Sequence, residues 1–130
     1  MIKSRLAVCS ESIVRDAETN NISVFNILEE LASPEFPFFL PRFAAIFYLE
    51  RDEHDPDVIN ASITITLNEK QIGHATGDNN FEGKTRTRLI LAVQGLVIPE
   101  PGLLKAAVLV DDQELSSWSI IVQEAKANVA

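Results

Sequence analysis

The polar segment Glu50–Asp57 has the densest set of groups that could do chemistry. It holds five carboxylates and one imidazole within eight residues. Loops rich in oxygen ligands can bind Ca²⁺, so a site for Ca²⁺ or another metal is one hypothesis for this segment. Its candidate ligands are Asp52, Glu53, His54, Asp55 and Asp57. The segment lacks the spaced aspartates and central glycine of an EF-hand loop, which favours a solvated acidic turn and no cofactor.

Other catalytic and metal-binding patterns are missing from the sequence. There is no Gly-x-Ser-x-Gly motif, and the five glycines are too scattered to form a phosphate-binding loop. His54 and His74 do not have the close spacing of paired metal ligands. Cys9, the one cysteine, lies in an apolar run and is predicted to be a small buried side chain. Together these observations favour a protein that is not an enzyme.

The charge balance limits the class of partner. The net charge is −8, from 19 acidic and 11 basic residues, and an acidic surface repels nucleic acid. The compact basic group Lys84, Arg86 and Arg88 alternates along the chain, which favours one solvated strand face over a phosphate site. No apolar run approaches the roughly 20 residues of a membrane helix, and the first residues are a poor secretory signal. A cytoplasmic protein without membrane partners is therefore expected.

The elements that would position these groups are β-strands. Val58–Leu67 alternates strictly between apolar and polar residues, which predicts a strand with one buried face. Phe43–Glu50 is apolar on both faces and predicts a central strand covered on both sides. Further strands are predicted at Arg5–Cys9, Ile22–Leu28, Gln71–Ala75 and Thr85–Val93. Residues 10–15 could prolong the first strand or bend away from it.

The segments between these strands have their own signals. At most one helical turn is expected after Leu28. Residues 33–42, with three prolines among phenylalanines, predict a stiff crossing segment that plugs one end of the core. The composition of residues 76–83 is that of a loop. Residues 1–3 and 124–130 are expected to be frayed.

A hairpin is predicted near the end of the sequence. The runs Leu103–Val110 and Leu115–Val122 flank a polar turn at residues 111–113. The outer face of the first run would carry Leu103, Ala107 and Leu109, which makes it a candidate interface. Trp118 is a candidate core anchor and, if exposed, an interface residue.

The strand count predicts the fold class. About eight short strands without a long helix indicate one all-β domain over residues 1–130. We expect an antiparallel β-sandwich, immunoglobulin-like or jelly-roll-like. Because one hairpin buries too little surface to be stable alone, the closing hairpin must pack on the other strands.

With these pieces placed, the chain resembles a family of uncharacterised small bacterial β-sandwich proteins, a domain of unknown function. The matching motifs are Val24-Phe25-Asn26-Ile27, Phe36-Pro37, Leu40-Pro41, Pro99-Glu100-Pro101-Gly102 and Val108-Leu109-Val110-Asp111-Asp112. The chain departs from the family pattern at Asp112, where a turn glycine is expected. The resemblance implies a fold and no agreed activity, so it implies no functional residues.

Three functions follow as hypotheses. The preferred one is a non-catalytic module for protein–protein contact, including self-association. The second is a metal-binding or ligand-binding sandwich, or a small enzyme, that uses residues 50–57. The third is a structural component of a phage-like assembly, which rests on fold analogy alone.

Overall fold

The computed structural model of the chain describes residues 1–125, and these form strands and turns only. No helix in this part of the chain could cross a membrane. The strands are β1 (Lys3–Arg15), β2 (Ile22–Ile27), β3 (Glu30–Ser33), β4 (Phe38–Glu50), β5 (Val58–Leu67), β6 (Lys70–Asn80), β7 (Arg86–Ile98), β8 (Gly102–Val110) and β9 (Gln113–Glu124).

The strands build two sheets that face each other, which confirms the predicted β-sandwich. The four-stranded sheet has the order β2-β1-β4-β7, and the five-stranded sheet has the order β3-β9-β8-β5-β6. Without β2 and β3, this is the immunoglobulin order, with strands A, B and E facing strands G, F, C and C′. The sandwich is not wholly antiparallel, because β3 runs parallel to β9.

The inner faces of the two sheets form one apolar core. The alternation predicted for β5 is confirmed, since Ile59, Ala61, Ile63, Ile65 and Leu67 are all buried. The closing hairpin contributes Leu104, Ala106, Val108, Ile120 and Val122 from the same sheet. The opposite sheet contributes Cys9, Phe43, Ala45, Phe47 and Leu49. The hairpin therefore lies opposite β4 and not beside it.

The sequence predicted at most one helical turn after Leu28, and the structure has no helical turn there. This segment becomes the four-residue strand β3, whose residues Glu30 to Ser33 pair with residues 121–124 of β9. The backbone carbonyl of Glu29 also accepts a hydrogen bond from the backbone N–H of Ile121, at 3.2 Å. A free edge of β9 therefore satisfies the backbone groups that a helical turn would have satisfied internally.

The proline-rich crossing segment is shorter than predicted. Strand β4 begins at Phe38, and Pro41 lies within it, opposite Gly95 of β7. Gly95 has a φ of 93° and lies against the ring of Phe39. A proline has no N–H to donate, so it is accepted in a strand where the partner strand is locally irregular.

Residues 76–83 are not a loop as a whole, because β6 continues to Asn80. Its register with β5 is unbroken from Ile65 to Val58, and Gly77 pairs with Ala61. An edge strand needs less apolar surface than a central one, which is why polar composition misled the prediction.

Two hairpins close through two-residue turns with positive φ at both positions. The turn between β5 and β6 is Asn68-Glu69, with φ of 50° and 70°. The turn between β8 and β9 is Asp111-Asp112, with φ of 51° and 64°. Both are therefore type I′ turns, and Asp112 occupies a position that glycine favours.

The hairpin of β1 and β2 folds back on its own sheet. Ser10 is the last residue of β1 that pairs with β4, in one row with Ala44 and Ala92. If β1 continued straight, Arg15 and Arg88 would lie about 30 Å apart, nine residues of strand rise. Instead, Asn20 in the hairpin turn accepts hydrogen bonds from Arg88 at 2.9 Å. Strand β1 both continues and bends, so each of the two predicted outcomes for residues 10–15 is partly right.

The folded hairpin covers the outer face of β4. Ala44 and Ile46 are on the face opposite the core, yet they are 2% and 0% exposed. Glu11 accepts a hydrogen bond from Arg42 at 2.7 Å, which ties the base of the hairpin to the same face. The prediction that this strand is covered on both sides is therefore confirmed.

Residues near both ends of the described chain pair with other strands. Lys3 pairs with Glu50, and Glu124 pairs with Ser33. The fraying predicted for residues 126–130 lies outside the described residues.

Candidate functional site

The predicted metal ligands of residues 52–57 do not converge. Within residues 1–125, no three His, Cys, Asp or Glu side chains are grouped closely enough to hold a metal ion. Asp52 and Asp55 instead hold the Met1 amino group, at 2.9 and 2.8 Å. Glu53 and His54 are almost fully exposed and lie 3.5 Å from each other.

The remaining carboxylates of this segment also have internal partners. Asp57 accepts from the backbone N–H of Gly83 at 2.8 Å and pairs with Arg51 at 3.2 Å. Glu50 pairs with Arg5, and this hydrogen bond lowers the pKa of Glu50. The charged side chains of this segment therefore form contacts that hold the loops at this end of the sandwich.

The amino group and Asp55 shift each other's titration. Hydrogen bonds to Asp55 and then Asp52 raise the pKa of the Met1 amino group. The same contact is the largest cause of the lowered pKa of Asp55, followed by the backbone N–H of Asp52. Each partner favours the charged form of the other.

The other candidate chemical groups lie apart from this segment. Cys9 is fully buried in the core, and burial raises the pKa of its thiol to about 12. A thiol with so high a pKa carries almost no thiolate near pH 7, so it is a poor nucleophile. His74 lies on β6, where it pairs with Thr64 of β5, whereas His54 lies in the turn between β4 and β5.

The predicted interface residues do not share one surface. Leu103 is 47% exposed, whereas Ala107 is buried and Leu109 is partly buried. Trp118 lies on the opposite face of its sheet, against the core. Its indole N–H donates to the backbone carbonyl of Leu28 at 2.7 Å, so it anchors the chain before β3.

A different surface stands out when the four sheet edges are compared. Three edges carry features that block pairing with another chain. Strand β3 has four residues, and β2 has six with a positive φ at Asn26. Strand β6 carries Lys70 and Asp78, and its pairing with β5 shifts register between Ile65 and Thr66.

The fourth edge, β7, has one such feature, the positive φ of 93° at Gly95, and none from Leu89 to Gln94. The ten residues Leu89–Ile98 contain no charge and no proline. Ile90 and Val97 are 43% and 55% exposed, and Ala92 is exposed between them. Among residues 1–125, no backbone hydrogen bond joins this part of β7 to any segment except β4. We call Leu89–Ile98 the open edge.

The sandwich is also open beside this edge. A cavity of about 210 Å³ lies between β6 and β7. Core residues Ile63 and Leu91 form its floor, and Gly77 and Asp78 line it from β6. The side-chain amide nitrogen of Asn79, which also lines it, is buried and has no hydrogen-bond partner among the described residues.

The sequence contains one sign of this site. The uncharged run 89–98 is visible in the sequence, but it looks like any buried strand. Its meaning depends on strand order, which places β7 at an edge.

Comparison with known proteins gives a family and no activity. No curated protein matches the chain. One family model, described as a family of unknown function (DUF6941), matches residues 5–123. This agrees with the resemblance seen in the sequence motifs, and the chain therefore belongs to the family of unknown function DUF6941.

Proposed function

We propose that this protein is a non-catalytic interaction module that pairs with a second copy of itself through the open edge. The observation that carries the proposal is the edge Leu89–Ile98, which has no charge and no proline and exposes Ile90 and Val97. Long, apolar, uncharged edges are templates for strand addition, and natural proteins normally block them.

The charge pattern of β7 supports a second copy as the partner. An antiparallel pair centred on Ala92 would place each Arg88 opposite Leu96 of the other copy. The two Arg88 side chains would then be separated by eight residues of strand, about 27 Å. This distance exceeds the Debye length of about 8 Å at physiological salt, so the like charges do not oppose pairing. No acidic residue lies on β7, so the net charge of −8 is carried on other surfaces.

The expected affinity is modest. A contact of two strands is at the small end of interface sizes, and we expect a dissociation constant in the micromolar range, about 8 kcal/mol or less. A weak and reversible dimer is therefore the expected species. The single cysteine, which allows no intrachain disulfide, supports a reducing compartment such as the cytoplasm.

Sedimentation equilibrium from about 0.3 µM to about 1 mM tests the proposal, since this range spans the expected dissociation constant. The wild type should show a monomer–dimer equilibrium, and Ala92→Lys should remain monomeric because it places a charge on the open edge. Gln71→Lys is the matched control, since Gln71 is also exposed on an edge strand, β6, and does not line the cavity beside the open edge. A wild type that is monomeric throughout, or a Gln71→Lys variant that dissociates equally, would refute self-association.

A further inference from the structure

Two arginines converge on one neutral oxygen at the turn of the β1–β2 hairpin. The side-chain oxygen of Asn20 accepts from Arg15 Nη1 at 3.1 Å and from Arg88 Nη2 at 2.9 Å. The backbone carbonyl of Asn20 also accepts from Arg88 Nη2, at 2.9 Å. The two guanidinium nitrogens are therefore at most 6.0 Å apart, the sum of the two side-chain distances.

These arginines have no carboxylate partner in the described part of the chain. The ion pairs within residues 1–125 involve other cations, namely the Met1 amino group, Arg5, Arg42, Arg51, His54 and Lys105. Of the six arginines, Arg5, Arg42 and Arg51 pair with a carboxylate, whereas Arg15 and Arg88 form no such pair within residues 1–125. Holding two like charges close together on a neutral amide leaves a local positive potential that an anion would relieve.

A cavity lies beside this pair of arginines. Its volume is about 240 Å³, and its lining includes the cations Lys84, Arg86 and Arg88. Tyr48 and Thr87 add hydroxyl groups to the lining, and Asn20 and Asn80 add amides. Glu82 is the one carboxylate in the lining, against three cations, and Arg15 donates to Asn20, which is also in the lining.

The wall that carries Lys84 is held in place by hydrogen bonds. Arg51 Nε donates to the backbone carbonyl of Lys84 at 2.8 Å. The backbone N–H of Lys84 donates to the carbonyl of Phe81 at 3.0 Å. Phe81 is itself buried, and the Arg51 guanidinium lies 5.4 Å from the centre of its ring. A ligand would thus meet a wall that is already ordered, which reduces the entropy cost of binding.

We propose that this cavity binds an oxyanion of the phosphate class, either free or as the phosphomonoester of a small molecule. The planar fork of a guanidinium matches two oxygens of a phosphate, and the two forks in the lining, those of Arg86 and Arg88, favour a group with at least three oxygens. Hydroxyl and amide donors around the cations are suited to the remaining oxygens. The sequence favoured a solvated face for Lys84, Arg86 and Arg88, and it contained no sign that Arg15 joins them.

Inorganic phosphate is the probe for the first test. The thermal midpoint of the full chain is measured with increasing phosphate and with potassium chloride at matched ionic strength. We expect phosphate to raise the midpoint beyond the chloride series, and Arg88→Gln to weaken binding by at least about tenfold, the effect of one charge-assisted hydrogen bond. Lys105→Gln is the matched control, because Lys105 is also half-buried but pairs with Glu114 on the other sheet. Equal midpoints in phosphate and chloride, or equal losses in both variants, would overturn the proposal.

The variant Asn20→Asp distinguishes an anion-binding site from a cluster of side chains that only stabilises the fold. Asp accepts the same two hydrogen bonds and supplies the missing negative charge between Arg15 and Arg88. It should raise the midpoint without phosphate and abolish the response to phosphate. An Asn20→Asp variant that still responds like the wild type would contradict the proposal, whatever Arg88→Gln does to folding.

A second series distinguishes the source of the anion. Isothermal titration with phosphoserine and with inorganic phosphate compares an esterified with a free ligand. Tighter binding of phosphoserine assigns the cavity to phosphomonoesters, and tighter binding of inorganic phosphate assigns it to the free ion. Failure of both to bind would refute the site and would leave the dimer at the open edge unaffected.

Discussion

The folded-back hairpin makes a sharp prediction about two isoleucines that are direct neighbours. Ile46 of β4 pairs with Ile90 of β7, and both side chains are on the sheet face opposite the core. Ile46 is fully buried, whereas Ile90 is 43% exposed. The difference arises because the hairpin of β1 and β2 covers β4 and leaves β7 uncovered.

The magnitudes follow from burial. Ile46→Ala should cost about 3 to 4 kcal/mol, since three buried carbon atoms leave a cavity between the sheet and the hairpin. Ile90→Ala should cost about 1 kcal/mol, because a large part of its surface is already in water. The β-propensity change is common to both substitutions, so it cancels in the comparison.

Urea unfolding measures the difference directly. With a urea dependence of about 2 kcal/mol per molar, the midpoint should fall by about 1.5 to 2 M for Ile46→Ala and by about 0.5 M for Ile90→Ala. If Ile46→Ala does not fold, the pair Ile46→Val and Ile90→Val gives the same comparison at about 1 kcal/mol for the buried site. Equal costs at the two positions would mean that the hairpin does not cover β4, and the account of this face would be wrong.

Three further predictions concern a glycine within β7, the turn between β8 and β9, and the ion pair of the Met1 amino group. Gly95→Ala should lower the free energy of unfolding by about 1 to 3 kcal/mol, because φ is 93° and the added Cβ would lie 2.9 Å from the ring of Phe39; an unchanged urea midpoint would contradict this. Asp112→Gly should raise the free energy of unfolding by roughly 0.5 to 1 kcal/mol, measured the same way, since φ there is 64°. The pKa of Asp55 is lowered mainly by the Met1 ammonium group, so its stabilising contribution is present above the unfolded pKa and is lost as pH falls through the lower folded pKa. Titration of Asp55 by NMR should show this lowered pKa, and Asp55→Asn should remove that part of the acid sensitivity of unfolding.

The sequence predicted best those elements whose burial pattern is local. Val58–Leu67 alternates between apolar and polar residues because one face of the strand packs on the core and the other faces outward. Consecutive residues therefore show both environments. The strand around Ile46 and Phe47 was predicted to be covered on both sides, and both residues are fully buried. What covers the outer side was not predictable, because it depends on where a bend at Ser10 sends the next hairpin.

The errors share a physical reason. Residues 76–80 are polar and glycine-containing, a composition typical of a loop. They form a strand nevertheless, because an edge strand has little need of apolar side chains. Strand β3 was missed because its four residues are stabilised by the free edge of β9, far along the chain. In both cases backbone hydrogen bonds to a distant partner decide the structure, and side-chain periodicity does not record them.

The two candidate sites were hidden for the same kind of reason. The open edge requires the strand order, and the cluster of Arg15 with Arg88 joins residues 73 positions apart. Neither has a spacing that a motif could express. The acidic segment at residues 50–57 did have a suggestive composition, yet in the structure Glu50, Asp55 and Asp57 pair with Arg5, the Met1 amino group and Arg51.

The net charge of −8 argues against nucleic acid and is still compatible with a small oxyanion site. A nucleic acid spans many Debye lengths, so it meets the acidic surface as a whole. A phosphate group is smaller than one Debye length of about 8 Å, so the nearest cations dominate the potential that it meets. Lys84, Arg86 and Arg88 line one cavity, and Arg15 shares the side-chain oxygen of Asn20 with Arg88. Among the described residues none of these four cations forms an ion pair. Raising the salt concentration should therefore weaken phosphate binding only gradually, since the contacts are short, whereas it should reduce the long-range repulsion between two copies and favour the dimer at the open edge.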